Sequence, residues 1–307
     1  MKSFGSDPEF LLTQNNKSKS AVEIIKADFE NPIKFNGHRF YYDNVLAECA
    51  IKPSFSKEET ISNFSECFKF FAELVDPAKL NTIASADFDD QELKSDAARK
   101  VNCAKDTCAY EMSVMDGPVH AIQYGNLRSC GGHIHLGSEI LASDGSEPIL
   151  AVYMLDLILG TTSLWLDKDA SSSARRFLYG QAGRYRVKNY GIEYRPLGNF
   201  WLGSPSLVGL IYDLCEITVD LIESGKAWEF WSFDLEKFYE SEVRSDAWKC
   251  LKYDSENLRT GINCSNKKLV KDHFDLVLDI LPKNIKNNLI TQINKKQKPD
   301  FYKNWNI

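Results

Sequence analysis

Apolar residues recur at steps of three and four through residues 56–75. Ile61, Phe64, Phe68, Phe71 and Val75 form one stripe, the pattern of an amphipathic helix whose stripe is core. Ser56 and Glu59 supply a capping box at its start. Two further helices are expected at 146–167 and 204–224, each with proline (Pro148, Pro205) in its first turn. The longest apolar run lies within the first of these. It contains Asp156 and ends at Asp167, so a buried core helix is expected rather than a membrane span. Elsewhere short β-favouring runs predict strands. These fall within 3–12 after a loop, at 21–28, at 80–88, around His133, and from Tyr190 to Leu197. Residues 38–51 read as a hairpin that turns at Asp43-Asn44. Residues 89–101 read as a polar helix and 171–180 as a loop. From Trp228 onward the chain reads as amphipathic helix with an Asn- and Lys-rich end.

Composition narrows the class. The chain has 307 residues, 43% of them hydrophobic, enough for one large or two smaller cores. The net charge of −6 argues against a broad basic surface for duplex nucleic acid. The eight cysteines follow no framework spacing, and Cys103 and Cys108 are too far apart for a CxxC zinc motif. With no charged-then-apolar leader, the expectation is a cytosolic protein with reduced thiols.

Four segments place polar groups in apolar frames. Asp7 and Glu9 alternate around Pro8 and share a face, an arrangement that repels unless a hard cation lies between them. Pro8 itself fits a strand's first residue or an edge. Glu48 sits inside the apolar run VLAECAI, where an acid ordinarily has a partner. Gly131 and Gly132 precede His133 and His135, which share a strand face, with Arg128 nearby. Residues 180–201 pack Arg184, Arg186, Glu193 and Arg195 among Tyr194, Leu197, Phe200 and Trp201. A structural ion pair satisfies Glu193 and its arginines; a site for metal and phosphate does so too. Neither GxGxxG nor GxxxxGK[ST] occurs, so any nucleotide is held in another way.

The segments GSDPEF, DNVLAE, LRSCGGHIHLG and GRYRVKNYGIEYRPLGNFW, in this order, resemble the phage-type COOH·NH2 ligases. These are amidoligases of the glutamine-synthetase-like superfamily, related to glutamate–cysteine ligases. The resemblance covers about the first two-thirds of the chain. It implies an α+β fold whose curved antiparallel sheet forms a funnel-shaped active site, with packed helices. On this view residues 1–225 are the ligase core and 226–307 a helical extension packed on it. It also implies ATP and Mg²⁺ (or Mn²⁺), a carboxylate and an amine substrate, and amide formation through an acyl phosphate. Carried over, Asp7, Glu9, Glu48, His133 and Glu193 are metal ligands, with the roles of His133 and His135 interchangeable. Arg128, Arg186, Arg195 and His135 hold nucleotide, and Arg184, Arg186 and Arg195 act in catalysis. Asp7 stands where relatives often have glutamate, and Asn44 where they have glycine. On the resemblance the protein works in the cytoplasm, that of the host if phage-encoded, with no membrane or duplex nucleic-acid partner. The alternatives are a phosphotransferase of the guanidino-kinase kind on the same scaffold, or a non-catalytic phage binding or virion protein.

Overall fold

The chain is described by a computed structural model covering residues 1–99, 106–115, 125–240, 248–251 and 254–307. Its strands are β1 Ser3–Ser6, β2 Glu9–Gln14, β3 Lys17–Lys19, β4 Ile33–Phe35, β5 His38–Asp43, β6 Leu46–Ser54, β7 Lys79–Asn81 and β8 Ser85–Asp87. They continue with β9 Asp106–Cys108, β10 Ser113–Met115, β11 Leu127–Ser129, β12 Ile134–Gly137, β13 Arg184–Lys188, β14 Gly191–Tyr194, β15 Trp231–Phe233 and β16 Trp248–Cys250. Among the described residues, twelve of them form one antiparallel sheet in the order β10-β9-β13-β14-β12-β1-β6-β2-β3, with β5 on β6, β4 on β5 and β7 on β2. β8 and β11 form a separate ribbon, as do β15 and β16. The fold is α+β.

Besides its pairing with β5, β6 is long enough to serve two further neighbours. Glu48 and Ala47 face β2, while Ile51 and Ser54 face β1. The chain leaves β1 and joins β2 through Asp7-Pro8. Proline cannot donate to a ladder, and here it only accepts: its carbonyl takes the Cys49 N–H at 3.2 Å.

The expected helix runs Lys57–Val75, with the Ser56 side chain accepting from Glu59 N and Glu59 accepting from Phe55 N. Its stripe, Phe64, Phe68 and Phe71, packs against Phe4, Phe10 and Trp201. Pro205–Glu223 forms with Ser204 as its cap. Glu147–Leu166 is apolar and long enough to cross a membrane, yet it is largely buried within the fold. A π-helical stretch at Asp156–Gly160 interrupts it. The C-terminal helix Phe301–Trp305 docks Phe301 and Trp305 onto Phe10 and Phe68.

Several elements differ from the sequence pattern. The segment at 21–28 is not a strand; it holds the short helix Val22–Ile25, ended by Lys26 at φ 53°. A short apolar run does not fix its own period. Residues 171–180 are not a loop: they contain the helix Ser172–Leu178, whose Ala-Arg-Arg-Phe-Leu sequence consists largely of good helix formers. The 80–88 run is split between β7 and β8. Of the helix expected at 89–101 only Asp96–Arg99 is helical, and 100–101 lie outside the described residues. The C-terminal region adds the β15–β16 ribbon to its helices.

Candidate functional site

One row of paired residues crosses four strands. Arg186 lies opposite Glu193, Glu193 opposite His135, and His135 opposite Gly5. Directly opposed residues share a face, so these side chains project together. Tyr194, on the other face of β14, instead donates its hydroxyl to Asp156 at 2.7 Å. Gly5 contributes no side chain, and Asp7 fills the place beyond it. Asp7 Oδ1 lies 3.0 Å from His135 Nε2 and 3.3 Å from His133 Nδ1.

Glu193 is fully buried. Its Oε1 accepts from Arg186 Nη1 at 3.2 Å and from Arg195 Nη1, while Lys188 Nζ lies 2.7 Å from its Oε2. Burial and Asp7 oppose its ionisation, but Arg195 and both histidines outweigh them, and the carboxyl falls to about 2. Burial likewise opposes charge on Asp7, and His135 and His133 reverse it, holding Asp7 well below the usual range. His133 is driven down to about 4, chiefly by burial and then by Arg195. His135 goes the other way, because Asp7 overcomes its burial. Ligand atoms of Asp7, His135 and Glu193 lie within 4.8 Å of one another. Asp7 Oδ1, His135 Nε2 and Glu193 Oε2 are buried without an aligned hydrogen-bond partner. Unsatisfied ligand atoms on three residues this close to one another suit a cation.

A second row brings Tyr41, Glu48 and Glu9 side by side. Asp43 joins them from the end of β5, and Glu9, Asp43 and Glu48 again offer oxygens within 4.8 Å of one another. Tyr41 donates to Glu48 Oε1 at 2.7 Å, and Gly131 N donates to Glu9 Oε2 at 2.6 Å. These bonds do not offset three clustered carboxylates. Burial and then Asp43 push Glu9 up to about 8, and burial, Asp7 and Glu9 raise Glu48 well above the usual carboxylate range. Asp43 is raised by burial alone against Arg195 and Arg186. An all-oxygen set of this kind fits Mg²⁺ or Mn²⁺ better than zinc. The glycines beside it are required by close approach. A Cβ on Gly131 would sit 2.1 Å from His133 Nε2, and one on Gly132 2.6 Å from the Gly198 carbonyl oxygen.

The anticipated carboxylates are therefore divided: Asp7 and Glu193 belong to one cluster, Glu9 and Glu48 to the other. The two touch electrostatically through Asp7, Glu9 and Arg195. The arginines separate as well. Arg195 is buried, pairs with Asp106 through Nε at 3.3 Å, and donates to Glu193 and Tyr179. Arg184 pairs with Asp106 at 2.6 Å. Arg128 lies by Asn44, 3.4 Å from its Oδ1, and donates to the Gly125 and Leu127 carbonyls rather than toward the histidines. Arg175 and Arg176, in the segment expected to be a loop, lie on a helix and are buried. Arg175 donates to the carbonyls of Cys130, Pro196 and Arg195, and Arg176 to Ser265 and Ser163.

Sequence reasoning missed Asp43, Asp106, Tyr179 and Lys188. Lys188 was within reach: 184, 186 and 188 alternate along one strand, so its side chain shares their face. Asp43 read as a turn residue only, and nothing around Asp106 marked it out.

No protein of curated function matches the chain. Residues 84–260, more than half of it, match the family model for phage phiEco32-like COOH·NH2 ligase-type 2. The match includes both histidines and the β13–β14 residues; Asp7, Glu9, Asp43 and Glu48 precede it. By that match the chain belongs to the phage phiEco32-like COOH·NH2 ligase-type 2 family, enzymes of the ligase kind.

Proposed function

We propose that the protein is an ATP-dependent ligase that joins a carboxylate to an amine through an acyl phosphate, releasing ADP and phosphate. One observation carries the reading. Two cation-competent clusters, drawn from segments as distant as Asp7 and Glu193, adjoin each other on the sheet with Arg186 and Arg195 beside them. Family membership supports the ligase class. The long sheet is consistent with a glutamine-synthetase-like funnel, and the polar face of β12, β14, β1 and β6 would be its wall. Chain 226–307 would pack on that core as an extension. The working compartment would be cytoplasm.

A substrate carboxylate oxygen attacks the terminal phosphorus of ATP, the bond to the bridging oxygen breaks, and ADP leaves. An amine then attacks the acyl carbon; phosphate departs with the C–O bonding pair and the nitrogen loses a proton. The first step brings anions together, so the opposing charge dominates its barrier. Bound Mg²⁺ would supply the neutralising charge on the phosphates. Asp7, His135 and Glu193 would hold one ion, and Glu9, Asp43 and Glu48 another. Arg186, more accessible than Arg195, would direct its planar fork at phosphate oxygens. Arg195 and Asp106 would fix Glu193 and keep it ionised. His133, held neutral, would accept or donate only a hydrogen bond.

The test is incubation with ATP, Mg²⁺ and a metabolite extract, followed by mass spectrometry. ADP, phosphate and a condensation product lighter by water than its two precursors support the ligase. A stable phosphorylated product with ADP alone would establish the phosphotransferase instead.

A further inference from the structure

We infer that Lys188 is an exchangeable counter-ion: it holds Glu193 while the Asp7–His135–Glu193 cluster lacks a divalent ion, and is released to bind the anion that arrives with the metal. The inference rests on the cation reading of that cluster and adds a regulated component to it.

Glu193 divides its two oxygens between different partners. Both guanidinium contacts go to Oε1. Oε2 is the buried oxygen without an aligned hydrogen bond, and the Lys188 ammonium lies 2.7 Å from it. An incoming cation must therefore use the oxygen that Lys188 faces. An ion at a ligand distance of about 2.0–2.6 Å from Oε2 competes for that oxygen with an ammonium 2.7 Å from it. Two positive centres so close repel, so the metal displaces the lysine.

The three cations on Glu193 are not equally free to leave. Arg195 is tied to Asp106 and Tyr179, and its side chain is 4% exposed. The Lys188 side chain is 31% exposed and sits at the last position of β13, opposite Gly191. A flexible four-carbon stem with a strongly hydrated head moves at low cost. Once released, the ammonium stays beside the site, because its Cα is fixed by the β13–β14 pairing. It then faces any polyphosphate bound to the same ion. In this way charge near Glu193 stays balanced before and after the metal enters, and the anion site forms only with metal present.

Amine acylation mapped by mass spectrometry tests this on the full chain, with Mn²⁺ binding followed in parallel by electron paramagnetic resonance. A lysine held against a carboxylate acylates slowly. Mn²⁺ should raise labelling of Lys188 several-fold, and a non-hydrolysable ATP analogue added to the Mn²⁺ form should lower it again. Lys188→Met should bind Mn²⁺ about fivefold more tightly without nucleotide, the scale of a part-exposed ion pair, and bind the analogue more weakly in saturating Mn²⁺. If Mn²⁺ binds wild type yet neither Lys188 labelling nor the variant's Mn²⁺ affinity changes, the exchange is overturned while the cation site stands. If labelling rises with Mn²⁺ but the analogue neither protects Lys188 nor loses affinity in the variant, its capture of the anion is overturned. If neither protein binds Mn²⁺, the cation reading falls and this inference with it.

Discussion

β14 places two carboxyl groups in opposite electrostatic states through adjacent residues: Glu193 is ionised on one face, while Tyr194 on the other reaches Asp156. Asp156 is fully buried, and burial pushes its carboxyl from 3.8 to about 7 despite the hydrogen bond from Tyr194. The native state therefore binds this proton more tightly than the unfolded chain does. Its contribution to stability is complete below pH 3.8 and is lost as pH rises through about 7. A shift of roughly three units corresponds to about 4 kcal/mol, of which about 2.5 kcal/mol falls between pH 5 and pH 8. For a chain of this length that is a difference of about 4 °C in Tm. Asp156→Asn keeps the shape and the oxygen that accepts from Tyr194, and removes the titration. Melting curves of both proteins between pH 5 and pH 8 isolate the effect, since other titrating groups cancel in the difference. The variant should gain on wild type steadily as pH rises, by about 4 °C over that range. A difference in Tm that is the same at every pH would refute the assignment of a neutral buried Asp156.

The site yields further expectations. Glu48→Gln should raise the Tm of the metal-free protein, by relieving repulsion with Glu9 and Asp43, and should reduce the extra stabilisation that Mg²⁺ gives the wild type; a lower metal-free Tm with an unchanged Mg²⁺ shift would contradict this. Arg186→Lys should leave the melting curve nearly unchanged while ATP-dependent turnover falls by about 10²–10³, whereas Arg195→Lys should lower stability first, because buried Glu193 and Asp106 lose their shared partner. Comparing apo melts with turnover for the two variants checks that order. Chelation should abolish turnover, with Mg²⁺ or Mn²⁺ restoring it and zinc failing to do so; full recovery on zinc alone would point to the histidines as the dominant ligands. Arg175→Lys should lower Tm by several degrees, as Lys cannot serve three carbonyls held in one plane; an unchanged Tm would show that those contacts contribute nothing.

Much of the local fold was legible because strong periodicity and capping act over short spans. Ser56 and Glu59 fixed one helix end, and Asp43-Asn44 fixed a hairpin whose Asn44 adopts φ 58°. The 21–28 and 171–180 segments were not legible, since their form depends on what packs against them. Arg175 is the clearest case. Two adjacent arginines in an expected loop carry no sign of burial, and only the third dimension supplies carbonyls enough to bury one. For the site, the acids, histidines and arginines stood out as polar groups in apolar runs. Their division into two clusters did not, because it is set by which strands neighbour β6. Pairing order is a long-range property that no local pattern carries.

Arg175 has a consequence for transplanting this chemistry. A single guanidinium fastens Cys130, just before the histidine strand, to Arg195 and Pro196, just after Glu193. A transplant of these two segments must therefore include the helix Ser172–Leu178 that clamps them, beside Asp7 and the acids of β2, β5 and β6. A graft limited to the two segments that Arg175 joins would carry His135 and Glu193 and lose their registration.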